Sequence, residues 1–442
     1  MTGMLMKKSR IVSAVLLGMF SIVSLGIWGC GSSGTKGYDA PVDPATTTKT
    51  PAVIDATTLK QWVDEGKLNA PLGSPDRVVL VSMTTLKNYT TISKKHIPGA
   101  VLMDTATDLY ATRTEGLGPV GSMVPTGAQM DTVIQKLGID NHTTIVLTIP
   151  KTSSDAEHYP QSRAYFTFRY WGFDRNRVKI LSGGDDAWDL ASLPLVKNQP
   201  PAVTPSSYSV ARNKGLKDII RYSFGEMLGL VDAINTDSSL LNTWQVIDLR
   251  GPTTATFMAN AKRGAPFQFF TRLNSDPARN WQYPDSATLN TRLAAITVNN
   301  PDLTTSFLSP TKKTVVMCGS AISASPSFVL FDAVLGLPEG DIMMYDGSSS
   351  QWTGYSVANI TAVGATAAQA NLWGFNALTP GTANARSIGA LTGTNTLLPS
   401  NYVYSPFQVE MNQIEKADKA YITPGGTGTT TTGTGGSTGG GC

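Results

Sequence analysis

Short unbroken apolar runs alternate along the chain with segments whose apolar positions recur every three to four residues. Arg77-Val78-Val79-Leu80-Val81-Ser82, Thr143 to Thr148 and Val178 to Leu181 are apolar runs bounded by polar residues or glycine, and such runs predict strands buried on both faces. Ala56 to Glu65, Thr126 to Leu137 and Ser162 to Trp171 predict helices, the last two stopped by Gly138 and Gly172. Lys95 to Ala100 reads as a turn leading into Val101-Leu102-Met103. Strands and helices in alternation predict α/β units around a mostly parallel sheet.

The pattern then recurs. Trp244 to Asp248 matches the strand ending at Ser82, Gly264-Ala265 matches Gly99-Ala100, and Thr314 to Cys318 matches Thr144 to Thr148. Tyr345-Asp346-Gly347 matches Ser182-Gly183-Gly184, and Gly336 stands as far before Trp352 as Gly172 does before Trp188. A long-period duplication predicts two similar domains rather than a solenoid. The expected boundaries are 54–197 for the first and 216–356 for the second, joined by a proline-bearing linker at 198–215. An extension at 357–423 shows no third repeat and is expected to be irregular, with aromatic residues that pack on the body. A Gly/Thr-rich tail at 424–442 is expected to be disordered. On this matching the first copy has Thr148 where the second has Cys318, which makes the first copy structural and the second active.

Thr314-Val315-Val316-Met317 therefore forms a strand that runs into Cys318, and Gly319-Ser320-Ala321-Ile322-Ser323-Ala324 forms a loop before a helical stretch from Ser325 to Leu335. Loop amides at a strand-to-helix turn favour anions, and the same field favours the thiolate, the nucleophilic form of cysteine.

Composition narrows the rest. The 442 residues carry a net charge of +3 with only 15% charged side chains, so nothing indicates a nucleic-acid partner. The three histidines and three cysteines show no metal-ligand spacing, no dinucleotide motif is present, and no cofactor is expected. His96 is expected to hydrogen-bond within a turn, and His142 and His158 to lie on the surface. Lys7, Lys8 and Arg10 precede an apolar run from Ile11 to Ile27 that ends in Trp28-Gly29-Cys30, which reads as a signal peptide over 1–30. It resembles a bacterial lipobox with Cys30 lipidated, followed by a tether at 31–53; Gly31 after the cysteine implies an outer-membrane address in the cell envelope. With Cys30 lipidated and Cys442 ending the tail, Cys318 is the one cysteine of the folded body, and no disulfide framework is expected.

His96-Ile97-Pro98-Gly99-Ala100, Tyr170-Trp171-Gly172-Phe173, and Val178 to Gly184 with Trp188 resemble the first half of a tandem rhodanese. Val246-Ile247-Asp248-Leu249-Arg250, then Cys318 to Ala324, then Tyr345-Asp346-Gly347-Ser348 and Trp352 resemble the second half. The resemblance implies two α/β domains and a sulfurtransferase. Cys318 would take a sulfane sulfur from thiosulfate or 3-mercaptopyruvate and pass it to cyanide or a thiol. It also implies that the loop 319–324 binds the anion, that Ser320 stands beside a substrate carbonyl, and that Asp248 and Arg250 support the loop. The sequence departs from that family in having Ala321 for a loop glycine and Thr254 for a second arginine. Lys262 or Arg263 is then the candidate for the missing positive charge. Two other readings stay open: an envelope lipoprotein that binds or reduces chalcogen oxyanions such as selenite or tellurite with electron-transfer partners, and a non-catalytic binding module of a cell-envelope complex.

Overall fold

Five parallel strands, β1 (Val53–Ile54), β2 (Val78–Thr84), β3 (Val101–Asp104), β6 (Thr144–Thr148) and β7 (Val178–Leu181), form the first sheet in the order β1-β7-β6-β2-β3. A hairpin of β4 (Ala111–Glu115) and β5 (Gly118–Met123) stands beside it. The second sheet holds β8 (Arg221–Tyr222), β9 (Trp244–Asp248), β10 (Lys262–Arg263), β13 (Lys313–Met317) and β14 (Ile342–Tyr345), in the order β8-β14-β13-β9-β10 and again wholly parallel. A short antiparallel pair, β11 (Thr271–Arg272) and β12 (Trp281–Gln282), lies outside it. This computed structural model describes residues 51–90, 95–151, 155–251, 261–272 apart from 265 and 268, 281–295, 309–354, 357–362, 366–367 and 411–423. Cys30, Cys442, Thr254, the tether up to residue 50 and the tail lie outside these residues.

The two sheets share one strand order, and their registers fix a residue-by-residue correspondence. Ile54 pairs with Leu181, and Tyr222 with Tyr345. Leu147 lies beside Ile180, and Val316 beside Met344. Ser82 lies beside Thr148, and Asp248 beside Met317. Thr148 therefore corresponds to Met317, and the next residue, Ile149, corresponds to Cys318. Hydrogen bonding agrees: Asp185 N–H donates to Ile149 O, and Ser349 N–H donates to Cys318 O, each at 3.0 Å. Two of the sequence matches thus shift by one residue, Thr148 giving way to Ile149 and Ser182-Gly183-Gly184 aligning with Asp346-Gly347-Ser348. The Gly264-Ala265 match also fails, because Lys262 occupies the place of Val101 and Gly264 follows its edge strand instead of preceding it. The physical reason is that every residue of β2 and β7, and all but the first of β6 and β13, is buried. No in-and-out alternation then pins the register in the sequence.

Helices cover both sheets. Asp55 caps Ala56–Asp64 by accepting from Thr58 N at 2.7 Å. Reciprocal capping boxes open Gly127–Lys136, through Thr126 and Gln129, and Phe224–Thr236, through Ser223 and Glu226. The helix Tyr159–Tyr170 starts three residues earlier than Ser162, with Pro160 in its first turn, where the missing N–H costs nothing. Its side chains from Gln161 to Tyr170 are all buried, because it packs against the second half as well as against its own sheet. Phe166 meets Phe328 edge-on with ring centroids 5.0 Å apart, Tyr165 OH donates to Asp332 at 2.6 Å, and Arg169 pairs with Asp332 at 3.0 Å. One apolar core consequently holds Phe166 and Tyr170 together with Cys318, Ala321 and Phe328.

The C-terminal extension is not wholly irregular. Helices Val357–Ala362 and Gln413–Ile422 lie within it, and the second returns to the body. Arg113 of β4 forms a buried bidentate pair with Asp418 (2.7 and 2.6 Å), and Tyr170 OH donates to the same carboxylate at 2.8 Å. Met411, just before this helix, is fully buried in the core of the second half, and its carbonyl accepts from Gly225 N at 3.0 Å.

Candidate active site

Cys318 is the first residue after β13, and its backbone is held on both sides. Its N–H donates to Ser348 Oγ at 3.2 Å, and that hydroxyl donates in turn to Tyr345 O at 2.8 Å. Its carbonyl accepts from Ser349 N, and Gly319 O accepts from both Ser350 N (2.9 Å) and Ser350 Oγ (2.6 Å). The start of the helix Ser348–Gly354 thus latches the first two residues of the cysteine loop. The thiol is free and fully buried.

The loop turns through Ala321, which adopts φ +58. Alanine in the left-handed region costs about 1–2 kcal/mol, and the surrounding packing holds it there, since Ala321 and Ala324 are buried in the shared core. The loop closes with Ser325, whose N–H and Oγ both donate to Ile322 O (3.2 and 2.6 Å). A five-residue helix, Ser325–Val329, follows and widens into a π-turn at Leu330–Val334. Among the described residues, the amides of Gly319, Ser320, Ala321, Ile322, Ser323 and Ala324 donate to no protein acceptor, and the buried Ser323 Oγ also lacks a partner. A run of unengaged N–H groups beside a nucleophile suits an anion or a developing negative charge.

Asp248 and Arg250 form a closed pair beside the loop. Arg250 Nε and Nη2 donate to Asp248 Oδ2 at 3.0 and 2.6 Å, and Arg250 N donates to Oδ1 at 3.1 Å. Since Asp248 lies opposite Met317 and Leu249 N donates to Met317 O at 2.8 Å, the pair props the end of the strand that carries Cys318. The side chains of Lys262 and Arg263 lie outside the described set.

The histidines divide. His96 is buried, stacks on Tyr89 with ring centroids 3.8 Å apart, and bonds Asn198 Oδ1 at 2.8 Å; burial lowers its pKa. Its backbone bridges to Val196, which makes it a clasp at the edge of the first half. His158, expected on the surface, is buried against Phe267 because it precedes the helix that the two halves share. At the first half's equivalent of the cysteine position, the Ile149 side chain lies against Gly184, where an added Cβ would meet Ile149 Cγ1 at 2.6 Å. The next residue is Pro150, which has no amide proton. At this position the first half therefore has an isoleucine in place of a nucleophile, and Pro150 interrupts the run of loop amides.

Sequence reasoning missed Arg163 and Tyr110. Arg163 is a fully buried guanidinium in the middle of the shared helix. Its Nη2 donates to Asp346 Oδ1 at 2.5 Å and to Ser122 O at 2.9 Å. Its cationic carbon lies 5.9 Å from the Tyr110 ring centroid and 5.3 Å from that of Phe166. Burial pushes the Tyr110 phenol up to about 12, with Arg163 pulling it down and Cys318 pushing it up, so both groups lie within electrostatic reach of this one hydroxyl. The available signal was an arginine inside an otherwise aromatic helix. A cavity of about 390 Å³ opens between the β4–β5 hairpin and the helix Ser348–Gly354, but no residue of the loop 318–324 lines it.

A thiosulfate sulfurtransferase of Corynebacterium glutamicum is 25% identical over 325 residues, spanning 71% of this chain and 92% of its own length. A Schizosaccharomyces pombe protein named "Probable 3-mercaptopyruvate sulfurtransferase" is 26% identical over 247 residues, 54% of this chain and 72% of its own. The chain is a homologue of the thiosulfate and 3-mercaptopyruvate sulfurtransferases. No family model matches it. Among solved structures, the Escherichia coli 3-mercaptopyruvate sulfotransferase SseA, described by its rhodanese fold, superposes with a TM-score of 0.47 at 17% identity, covering 68% of this homologue and all of SseA.

Proposed function

We propose that the protein is a rhodanese-like sulfurtransferase that works through a persulfide on Cys318, with its two halves serving as one inactive and one active rhodanese-like domain. The observation that carries this reading is the cysteine loop itself: among the described residues, a lone thiol at the end of a central strand, its backbone latched by Ser348, Ser349 and Ser350, followed by six amides without protein acceptors. The Cys318 thiolate attacks the outer sulfur of thiosulfate. The new S–S bond forms as the old one breaks, and sulfite leaves with the bonding pair. With 3-mercaptopyruvate, sulfur leaves carbon and the donor's thiol proton ends on that carbon, giving pyruvate. Cyanide or a thiolate acceptor then takes the terminal sulfur and returns the Cys318 thiolate. The loop amides stabilise the terminal anionic sulfur of the persulfide, and Ser320 stands beside the donor's carbonyl. No cofactor takes part in this sequence.

We propose separately, from the basic residues Lys7, Lys8 and Arg10 and the apolar run that ends in Trp28-Gly29-Cys30, that a lipid on Cys30 anchors the protein to a membrane of the cell envelope. A mature chain whose N-terminal peptide begins at Cys30 but carries no acyl mass would contradict that placement. The catalytic reading is tested by thiocyanate formation from thiosulfate and cyanide, and by pyruvate release from 3-mercaptopyruvate. Cys318→Ser is expected to abolish both. Equal rates in the wild type and the variant would overturn the assignment.

A further inference from the structure

We infer that Arg163, contributed by the inactive half, is the fixed cation that binds the oxyanion end of the sulfur donor at Cys318, with Nε and Nη1 as its donors. The inference rests on the sulfurtransferase reading and extends it to the charge of the substrate. Arg163 is fully buried, yet among the described residues only Nη2 is engaged by an acceptor; Nε and Nη1 have none. A desolvated N–H without a partner is destabilising, and rings at 5.3 and 5.9 Å replace only part of what water would supply.

Its place relative to Cys318 follows from two independent tethers. Asp346, which holds Nη2, stands two residues before Ser348, and Ser348 accepts from Cys318 N. The helix carrying Arg163 also touches the other end of the cysteine loop, where Ser325 Oγ donates to Tyr159 O at 3.4 Å and Phe166 packs on Phe328. Arg163 is therefore fixed at both ends of the segment that bears the nucleophile. The unpaired Ser323 Oγ lies in the same segment.

The neighbouring charges leave this role to Arg163. Asp346 is shared with Arg221, whose guanidinium also pairs with Glu115 at 3.0 and 3.1 Å, so Arg221 is enclosed by carboxylates. Arg250 is closed on Asp248. Arg163 alone among these three keeps two nitrogens without an acceptor. A sulfonate, as in thiosulfate, or a carboxylate, as in 3-mercaptopyruvate, supplies the missing acceptors. The Tyr110 ring lies 5.9 Å from the Arg163 guanidinium carbon and is the described aromatic neighbour that also feels Cys318.

The test uses the full chain and follows Cys318 by peptide mass. In the wild type, anionic iodoacetate should alkylate Cys318 at least severalfold faster relative to neutral iodoacetamide than it does free cysteine. In Arg163→Gln that preference should fall to the free-cysteine ratio. The half-saturating concentrations of thiosulfate and of 3-mercaptopyruvate should rise tenfold or more while kcat falls less, and Arg163→Lys should recover part of the loss. A rise for one donor only would assign the site to a sulfonate or to a carboxylate. The wild-type ratio does not depend on whether a variant folds, and a ratio no higher than that of free cysteine overturns the inference. An unchanged half-saturation in a folded Arg163→Gln protein also overturns it. A wild-type Cys318 that forms no persulfide and reacts with neither reagent overturns the sulfurtransferase reading as well.

Discussion

Ala321 shows how much of the site's shape rests on single residues. Its φ of +58 is the conformation for which glycine is the usual choice. Replacing it with glycine relieves about 1–2 kcal/mol of strain. The same change loses a buried methyl worth about 0.8 kcal/mol and about 0.4–1 kcal/mol through the freer unfolded chain. Ala321→Gly should therefore lie within about 1 kcal/mol of the wild type. Ala321→Val, which puts a β-branched side chain at positive φ in a packed site, should lose about 1–3 kcal/mol. Urea unfolding measures both, and equal stability of the valine and glycine variants would show that residue 321 does not hold this conformation. At this scale the sequence disclosed Cys318 and the loop after it, because a lone cysteine between an apolar run and small residues is legible without coordinates. Arg163 was not legible. An arginine on a helix ordinarily faces water, and only the packing of the second half on that helix takes its guanidinium inside.

At the scale of elements, the apolar runs and glycine stops located the central strands and most flanking helices, since those signals are local. The register between strands was not local. Strands buried on both faces look alike after a slip of one residue, and the matching of Thr148 with Cys318 slipped in this way where the ladder gives Ile149. The capping box of Phe224–Thr236 carries a testable consequence of its own. Burial raises the Glu226 carboxyl from 4.5 to about 8 despite the hydrogen bonds from Ser223 N and Oγ. A carboxyl with a raised folded pKa holds its proton more tightly when folded. Its contribution to stability is complete below the unfolded value of 4.5 and is lost as pH rises through about 8. Melting temperature should therefore fall between mild acid and pH 8 through this group, and Glu226→Gln, which cannot titrate, should flatten that part of the profile. An identical slope in the variant would remove Glu226 from the account.

At the scale of the whole molecule, one core and several buried ion pairs join the halves, so the first half is part of the foundation of the candidate site. The C-terminal helix adds a strap: Met411 is buried in the second half, while Asp418 pairs with Arg113 and Tyr170 of the first. Asp418→Ala leaves Arg113 buried without its carboxylate and should cost about 3–5 kcal/mol. Calorimetry should still record one transition, because the shared core couples the halves; two separated transitions would contradict that coupling. The recurring strand order was hinted at by the recurring apolar runs, but this strap was not legible, since its contacts join residues about 300 positions apart and leave no local pattern. The most direct test of the central claim is the mass of the Cys318 peptide after the full chain meets thiosulfate. The account requires a gain of one sulfur atom on that peptide, discharged by cyanide and absent in Cys318→Ser. A Cys318 peptide that keeps its mass with both thiosulfate and 3-mercaptopyruvate would contradict it.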